Sequence, residues 1–306
     1  MIIDAHTHPF GPPSYADLAG QIRTVADVVG FRTRHPALYE ARLTETARDF
    51  APELMSDMDR HGIARAVIQG TAGRMTNELV ADTVRRYPDR LVGLFRVGSE
   101  GEADGVFDNV EHVRREVASQ VAFCVETLQL SACGELPVRA FTRALHPEEI
   151  ATDLRPLMTA LSKYQIAVQI PTGWSQFPGG LHLADPLFVD EIATRHPDVP
   201  IVLTKMGRGI QHYFESALIV AMRNPNVYLD TVATTAAHLR RAVDVIGPDR
   251  IMFGTDWSPT WRWVRAPMDL YELRFRTLKE AALTRDEEDQ ILWKTAARLF
   301  KVPLGS

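Results

Sequence analysis

Short apolar and β-branched runs of four to seven residues, bounded by turn residues, alternate with longer stretches of helical period along the chain. Eight such runs stand out: Ile2–His6, Arg65–Gln69, Leu91–Val97, Val121–Glu126, Ala167–Ile170, Ile201–Thr204, Val227–Asp230 and Arg250–Phe253. Strand then helix, repeated eight times, predicts an α/β fold, a (β/α)8 TIM barrel whose strands pair in parallel because each return runs through a helix.

Three entries into strands read alike, RYPDRLVG from Arg86, RHPDVPIV from Arg195 and IGPDRIMF from Ile246. In each, a proline after a helical stretch ends the helix and turns the chain into the sheet. They mark the N-terminal face of the barrel, as does MDRHGIARAV from Met58, with Gly62 as a left-handed helix cap. The opposite connections are longer. Insertions after strands 1, 4 and 5, at 9–50, 128–150 and 171–186, are expected to form a functional rim and lid at the C-terminal face.

The 306 residues are 45% hydrophobic and 24% charged, enough apolar material for a large core. Length alone would suit two domains, but barrels of about 250 residues are commonly one. No linker or low-complexity tract divides the chain, so residues 1–306 are expected to form a single domain. A net charge of −5 with both signs interspersed supplies no basic stripe, which argues against nucleic acid. The opening MIIDAHTHPF lacks the pattern of a secretory leader, and no run has the roughly 18 apolar residues that would span a membrane. A cytoplasmic location without membrane contact is the expectation. Cys124 and Cys133 are too few for a disulfide framework and fit a reducing compartment, with Cys124 read as a small core residue on a strand.

The chemistry concentrates at the two ends of the chain. In Ile3-Asp4-Ala5-His6-Thr7-His8 the first strand ends in two histidines at i and i+2, which alternation puts on one side. Two imidazoles side by side are half of a typical divalent-metal site, and the C-terminal end of a barrel strand is where barrel active sites lie. Asp256 follows the last strand in RIMFGTDW. Barrel closure sets strand eight beside strand one, so this carboxylate is expected near His6 and His8, as metal ligand, proton acceptor or both. The bland alternatives are a pair of strand-capping histidines and a helix N-cap.

The HxH of strand one, the GxD of strand eight, and the phrases PNVYLDT and DRIMFGTDW resemble the amidohydrolase superfamily. They are most similar to its amidohydrolase-related branch, which contains hydrolases and decarboxylases of muconate and aromatic acids. The likeness runs from Ile2 to about Leu299. It implies one divalent ion, zinc first, with iron or manganese as alternatives and the number per chain open. His6, His8 and Asp256 match the ligand pattern. The histidines usual at the ends of strands five and six are replaced by Pro171 in IPTGW and Lys205 in LTKMGRG.

Proline offers no ligand, and a protonated Lys205 repels a dication. Three readings follow. The ion persists with help from another ligand, Glu126 at the end of strand four, or His182 or Asp185 in the strand-five loop. Alternatively the site works without metal, as in lactonase-like relatives, with Lys205 and Arg208 stabilising negative charge. The third reading is a binding module without turnover. Arg208 suits a substrate carboxylate through paired hydrogen bonds. Trp174, Trp257, Trp261 and Trp263 are candidate pocket walls for a flat or apolar substrate.

The substrate-binding set is thus Lys205, Arg208, His182, Trp174 and Trp257, and the expected partner is a small molecule with an anionic group. The resemblance leaves a homodimer open. The first expectation for activity is a metal-dependent hydrolase in which Asp256 and a divalent ion activate water against an acyl bond of an ester, thioester, lactone or amide. A non-oxidative decarboxylase, a lyase, stands second.

Overall fold

Seven of the eight apolar runs become parallel strands, because each is followed by a helix that covers its outer face. The computed structural model describes residues 1–14, 24, 26–27, 30–70, 75–98, 110–174, 180–259 and 269–302. Its barrel strands are β1 (Ile3–Thr7), β2 (Arg65–Ile68), β3 (Leu91–Phe95), β4 (Ala132–Cys133), β5 (Val168–Pro171), β6 (Ile201–Thr204), β7 (Val227–Asp230) and β8 (Ile251–Met252). They lie side by side in chain order in one eight-stranded sheet. Backbone bonds close the ring between β1 and the segment after β8: Ala5 N–H to Phe253 O at 2.8 Å, Asp256 N–H to His6 O at 3.0 Å and His8 N–H to Trp257 O at 2.7 Å.

The covering helices are α1 (Ala51–His61), α2 (Asn77–Arg86), α3 (Val110–Ala122), α4 (Pro147–Tyr164), α5 (Val189–Arg195), α6 (Gln211–Arg223), α7 (Ala236–Ile246) and α8 (Leu270–Glu280). Their apolar faces pack on the outward residues of the strands in one large cluster that includes Leu54, Met58, Ile68, Phe95, Leu157 and Phe214. A second cluster fills the barrel interior with Ile3, Ala5, Val67, Leu94, Ala132, Val202 and Met252. Ala296, Leu299, Phe300 and Val302 from the C-terminal segment pack against it. Among the described residues no helix is long and apolar enough to cross a membrane.

Gly62 takes φ +68° as the left-handed cap of α1, as its place in MDRHGIARAV predicts. The strand predicted at Val121–Glu126 is a correction. Val117, Val121, Cys124 and Leu128 are buried at helical spacing, so α3 simply continues through Ala122 into a π-helical turn at Phe123–Thr127. Cys124 is buried as expected, but on this helical stretch rather than on a strand. The true fourth strand is the small-residue pair Ala132–Cys133, so the insertion after it begins at Gly134 rather than 128. The first insertion carries an antiparallel pair, Phe10–Gly11 with Arg48–Asp49, and two short helices at Phe31–Arg34 and Pro36–Thr44.

Candidate active site at the barrel mouth

Along the strands the interior changes from apolar to polar. By alternation, Val67 is followed on the inner face by Gln69, Ala167 by Gln169, Val202 by Thr204 and Tyr228 by Asp230. On β1 the pairing register shifts between Asp4 and Thr7. Such an irregularity re-aims side chains beside active sites. Here Ala5 packs in the interior cluster while His6 and His8 both turn to the mouth.

Each imidazole is fixed by its far nitrogen. Asp230, fully buried at the end of β7, lies 2.6 Å from His6 Nδ1 through Oδ2. Its Oδ1 accepts the backbone N–H groups of Lys205 at 2.6 Å and Val232 at 3.1 Å. His8 Nδ1 lies 3.3 Å from the Gln69 carbonyl. With both Nδ1–H groups so committed, the Nε2 lone pairs face the centre, a carboxylate or carbonyl orienting each imidazole from behind. The two Nε2 atoms are 2.9 Å apart. Two lone pairs at that distance repel unless a proton or a cation is shared between them.

Asp256 completes the triangle. Its Oδ1 lies 3.2 Å from His8 Nε2 and 3.5 Å from His6 Nε2. A backbone φ of +63° helps to set its direction, a conformation that aspartate tolerates better than most residues. An ion with bonds of about 2.0–2.1 Å in tetrahedral geometry has donors about 3.3–3.4 Å apart. Edges of 2.9, 3.2 and 3.5 Å therefore suit one divalent ion, and the donor set of two imidazoles and a carboxylate suits zinc chemistry.

Facing these donors is a pair that the sequence reading did not assemble. Lys205 Nζ lies 2.5 Å from Glu135 Oε1, 3.1 Å from His6 Nε2 and 3.5 Å from Asp256 Oδ1. Glu135, two residues past β4, also takes the Thr204 hydroxyl at 2.5 Å and lies 3.5 Å from His6 Nε2 and 3.8 Å from His8 Nε2. Burial by itself raises the pKa of both carboxyls, but the Lys205 ammonium beside them, first among the opposing influences, holds Glu135 and Asp256 well below the usual carboxylate range. Burial pushes the His8 pKa down, against the pull of Asp256. The repulsion between Lys205 and a dication, expected from sequence, is thus offset by a carboxylate. Asp230, Asp256 and Glu135 would balance the Lys205 ammonium together with one dication.

Lys205 reaches the centre through an unusual backbone. Lys205, Met206, Gly207, Arg208 and Gly209 all have positive φ, between +38° and +74°. Left-handed residues other than glycine each cost roughly 1–2 kcal/mol, so the surroundings must hold the turn. Asp230 accepts Lys205 N–H, and the Thr172 hydroxyl accepts Gly207 N–H at 3.0 Å. The turn separates its two cations: Lys205 is buried, while Arg208 is half-buried with its guanidinium 4.0 Å above the Trp174 ring. Gly173 permits this, since a Cβ there would come within 2.7 Å of Arg208 Cγ.

Other candidates lie elsewhere. Glu126 is a correction: it is exposed on the helical stretch after α3, bonded to the Tyr164 hydroxyl at 2.5 Å, because the fourth strand is not where it was expected. The acidic group facing Lys205 is Glu135. His182 is exposed and bonded to the Leu145 carbonyl at 3.1 Å, and Asp185 pairs with His212 at 2.8 Å; neither joins the donor cluster. Trp257 is 2% exposed and gives its indole N–H to Asp57 on α1 at 2.9 Å, so it packs in the helix layer instead of walling a pocket. Trp261 and Trp263 lie outside the described residues. Asp230 was missed although it ends a correctly placed strand; its inner parity with Tyr228 was the available signal. Glu135 carried a weaker one, the Gly134 step after a short run of small residues.

A buried HxH and a strand-eight aspartate at one barrel mouth define the class. The chain belongs to the amidohydrolase family, whose model matches residues 3–302. No curated protein matches it in sequence. Solved structures share its fold. An uncharacterized TIM-barrel protein from Bordetella bronchiseptica is 22% identical over 98% of both chains, with a TM-score of 0.67. 5-Carboxyvanillate decarboxylase from Sphingomonas paucimobilis is 18% identical over 99% of both, with a TM-score of 0.63. 4-Oxalomesaconate hydratase from Rhodopseudomonas palustris is 18% identical over 99% of this chain and 96% of its own, at 0.64.

Proposed function

We propose that this protein is a metal-dependent hydrolase that attacks an acyl bond (ester, thioester, lactone or amide) of a small substrate bearing an anionic group. The observation that carries the reading is the placement of Asp256. Its Oδ1 has Lys205 Nζ at 3.5 Å, His8 Nε2 at 3.2 Å and His6 Nε2 at 3.5 Å, so the carboxylate is kept ionised at the ion site, the state in which it can take a proton. His6, His8 and Asp256 would hold the ion, with Asp230 and the Gln69 carbonyl orienting the imidazoles from behind. A divalent ion bound there supplies Lewis acidity, polarising the acyl oxygen and lowering the pKa of water towards about 7 if it is zinc. Asp256 takes the proton from the attacking water and returns it to the leaving group. Lys205 is paired with Glu135 inside the mouth, and the cation assigned to the substrate anion is Arg208, whose guanidinium carbon lies 4.0 Å from the centre of the Trp174 ring.

The same Arg208 and Trp174 pair favours a second reading, since a cation beside an aromatic face also suits a planar aromatic acid. Structures that share the fold include 5-carboxyvanillate decarboxylase and 2,6-dihydroxybenzoate decarboxylase, both named for such acids. That reading is a lyase in which Asp256 manages a proton at a ring carbon. Turnover in 18O-labelled water separates them: label in the product acid is expected for the hydrolase. Carbon dioxide release with solvent deuterium on carbon, and no 18O uptake, would replace it with the lyase.

A further inference from the structure

Two cations have a claim on one set of acceptors at the mouth. His6 Nδ1 is bonded to Asp230 at 2.6 Å, which leaves Nε2 a single lone pair. Lys205 Nζ lies 3.1 Å from that same Nε2. One lone pair cannot accept an ammonium proton and bind a metal ion together. Glu135 is shared in the same way: Oε1 is 2.5 Å from Lys205 Nζ, while Oε1 and Oε2 lie 3.5 and 3.8 Å from the Nε2 atoms of His6 and His8. Those distances are within a few tenths of an ångström of the donor spacing of a tetrahedral ion, about 3.3–3.4 Å.

Resting on the ion-dependent reading above, we propose that Lys205 is a built-in competitor of the divalent ion and that Glu135 is a further ligand which Lys205 masks. The ammonium ties up the His6 lone pair and one Glu135 oxygen, so an ion enters only if its bonds to imidazole outweigh that hydrogen bond. Zinc meets that condition better than magnesium, which prefers oxygen and sheds water reluctantly. The pair therefore acts as a selectivity device: it lowers affinity for every dication and excludes those that gain little from nitrogen donors. Replacing the lysine with an apolar chain of similar length removes the competitor and leaves a carboxylate without its cation beside the triangle.

The test is a calorimetric titration of the full-length, chelator-treated protein with Zn2+ and with Mg2+, with melting curves to show that each variant is folded. Lys205→Met should bind Zn2+ at least tenfold tighter than the unaltered chain and should acquire measurable Mg2+ binding. Adding Glu135→Gln to Lys205→Met should abolish most of that gain. Lys205→Gln, which keeps a polar chain, provides the same reading if the methionine variant does not fold. Equal or weaker Zn2+ binding in the folded lysine variant overturns the competitor role, and a gain that survives Glu135→Gln overturns the masked ligand. The His6→Ala/His8→Ala variant separates this inference from the reading beneath it. Zn2+ binding that persists there removes both, whereas binding lost there with no gain in Lys205→Met removes only the competitor.

Discussion

On the β8–β1 side of the mouth, His6, His8 and Asp256 are brought together by backbone bonds that close the barrel, the Asp256 N–H to the His6 carbonyl and the His8 N–H to the Trp257 carbonyl. On the β4–β6 side, Glu135 and Lys205 meet through a two-residue strand and a left-handed turn, held by side chains rather than by regular pairing. The first side displays neutral donors and one carboxylate suited to an ion. The second displays a buried charge pair aimed at the same point. The contrast teaches that one half of the ring is built to present ligands and the other to set the charge they experience.

Removing the first half should have the largest effect. His6→Ala with His8→Ala is expected to abolish bound divalent ion, measured by elemental analysis, and activity with it; unchanged metal content would mean that the imidazole pair is not the ligand set. Asp256→Asn keeps the shape but loses the proton acceptor, and kcat should drop by about 10²–10⁴ with KM nearly unchanged. A fall confined to KM would move Asp256 from chemistry to binding.

The second half should show itself first in stability. Glu135→Ala leaves Lys205 buried without its carboxylate and should cost about 3–5 kcal/mol in denaturant unfolding. Replacing both partners, Glu135→Leu with Lys205→Met, should recover most of that loss. Equal destabilisation in the single and double variants would show that the charge pair is not what holds this side. Arg208→Lys keeps the charge but loses the planar fork beside the Trp174 ring, and KM should rise by about tenfold, about 1.4 kcal/mol and near the low end of what a charged hydrogen bond contributes. The smallest effect is expected at Glu126→Gln: outside the mouth and exposed, it should leave kcat and the melting temperature as they were.

The eightfold alternation, the helix-to-strand turns at Arg86, Arg195 and Ile246, and seven of the eight strands could be read from the chain because each depends on local periodicity and on proline or glycine at a turn. The histidine pair was legible for the same reason, since alternation over two residues is a local rule. The proximity of Asp256 needed only the knowledge that a barrel closes. The fourth strand was not legible. The α-helix and the π-helical turn that continues it run through Val121–Glu126, whose valines suggested a strand, and the strand itself is two small residues with no periodicity to display.

The sequence by itself determined the barrel, the face that carries chemistry and the three donors at its seam, because those follow from spacing along the chain. Only the tertiary structure decided that Glu135 faces Lys205, that Asp230 stands behind His6, and that Arg208 lies over the Trp174 ring while Trp257 turns into the helix layer. Those partners are distant in the chain or arranged by consecutive left-handed residues. Which charges meet in a buried site depends on where the backbone is forced to turn, and no pattern of hydrophobic and polar positions records that.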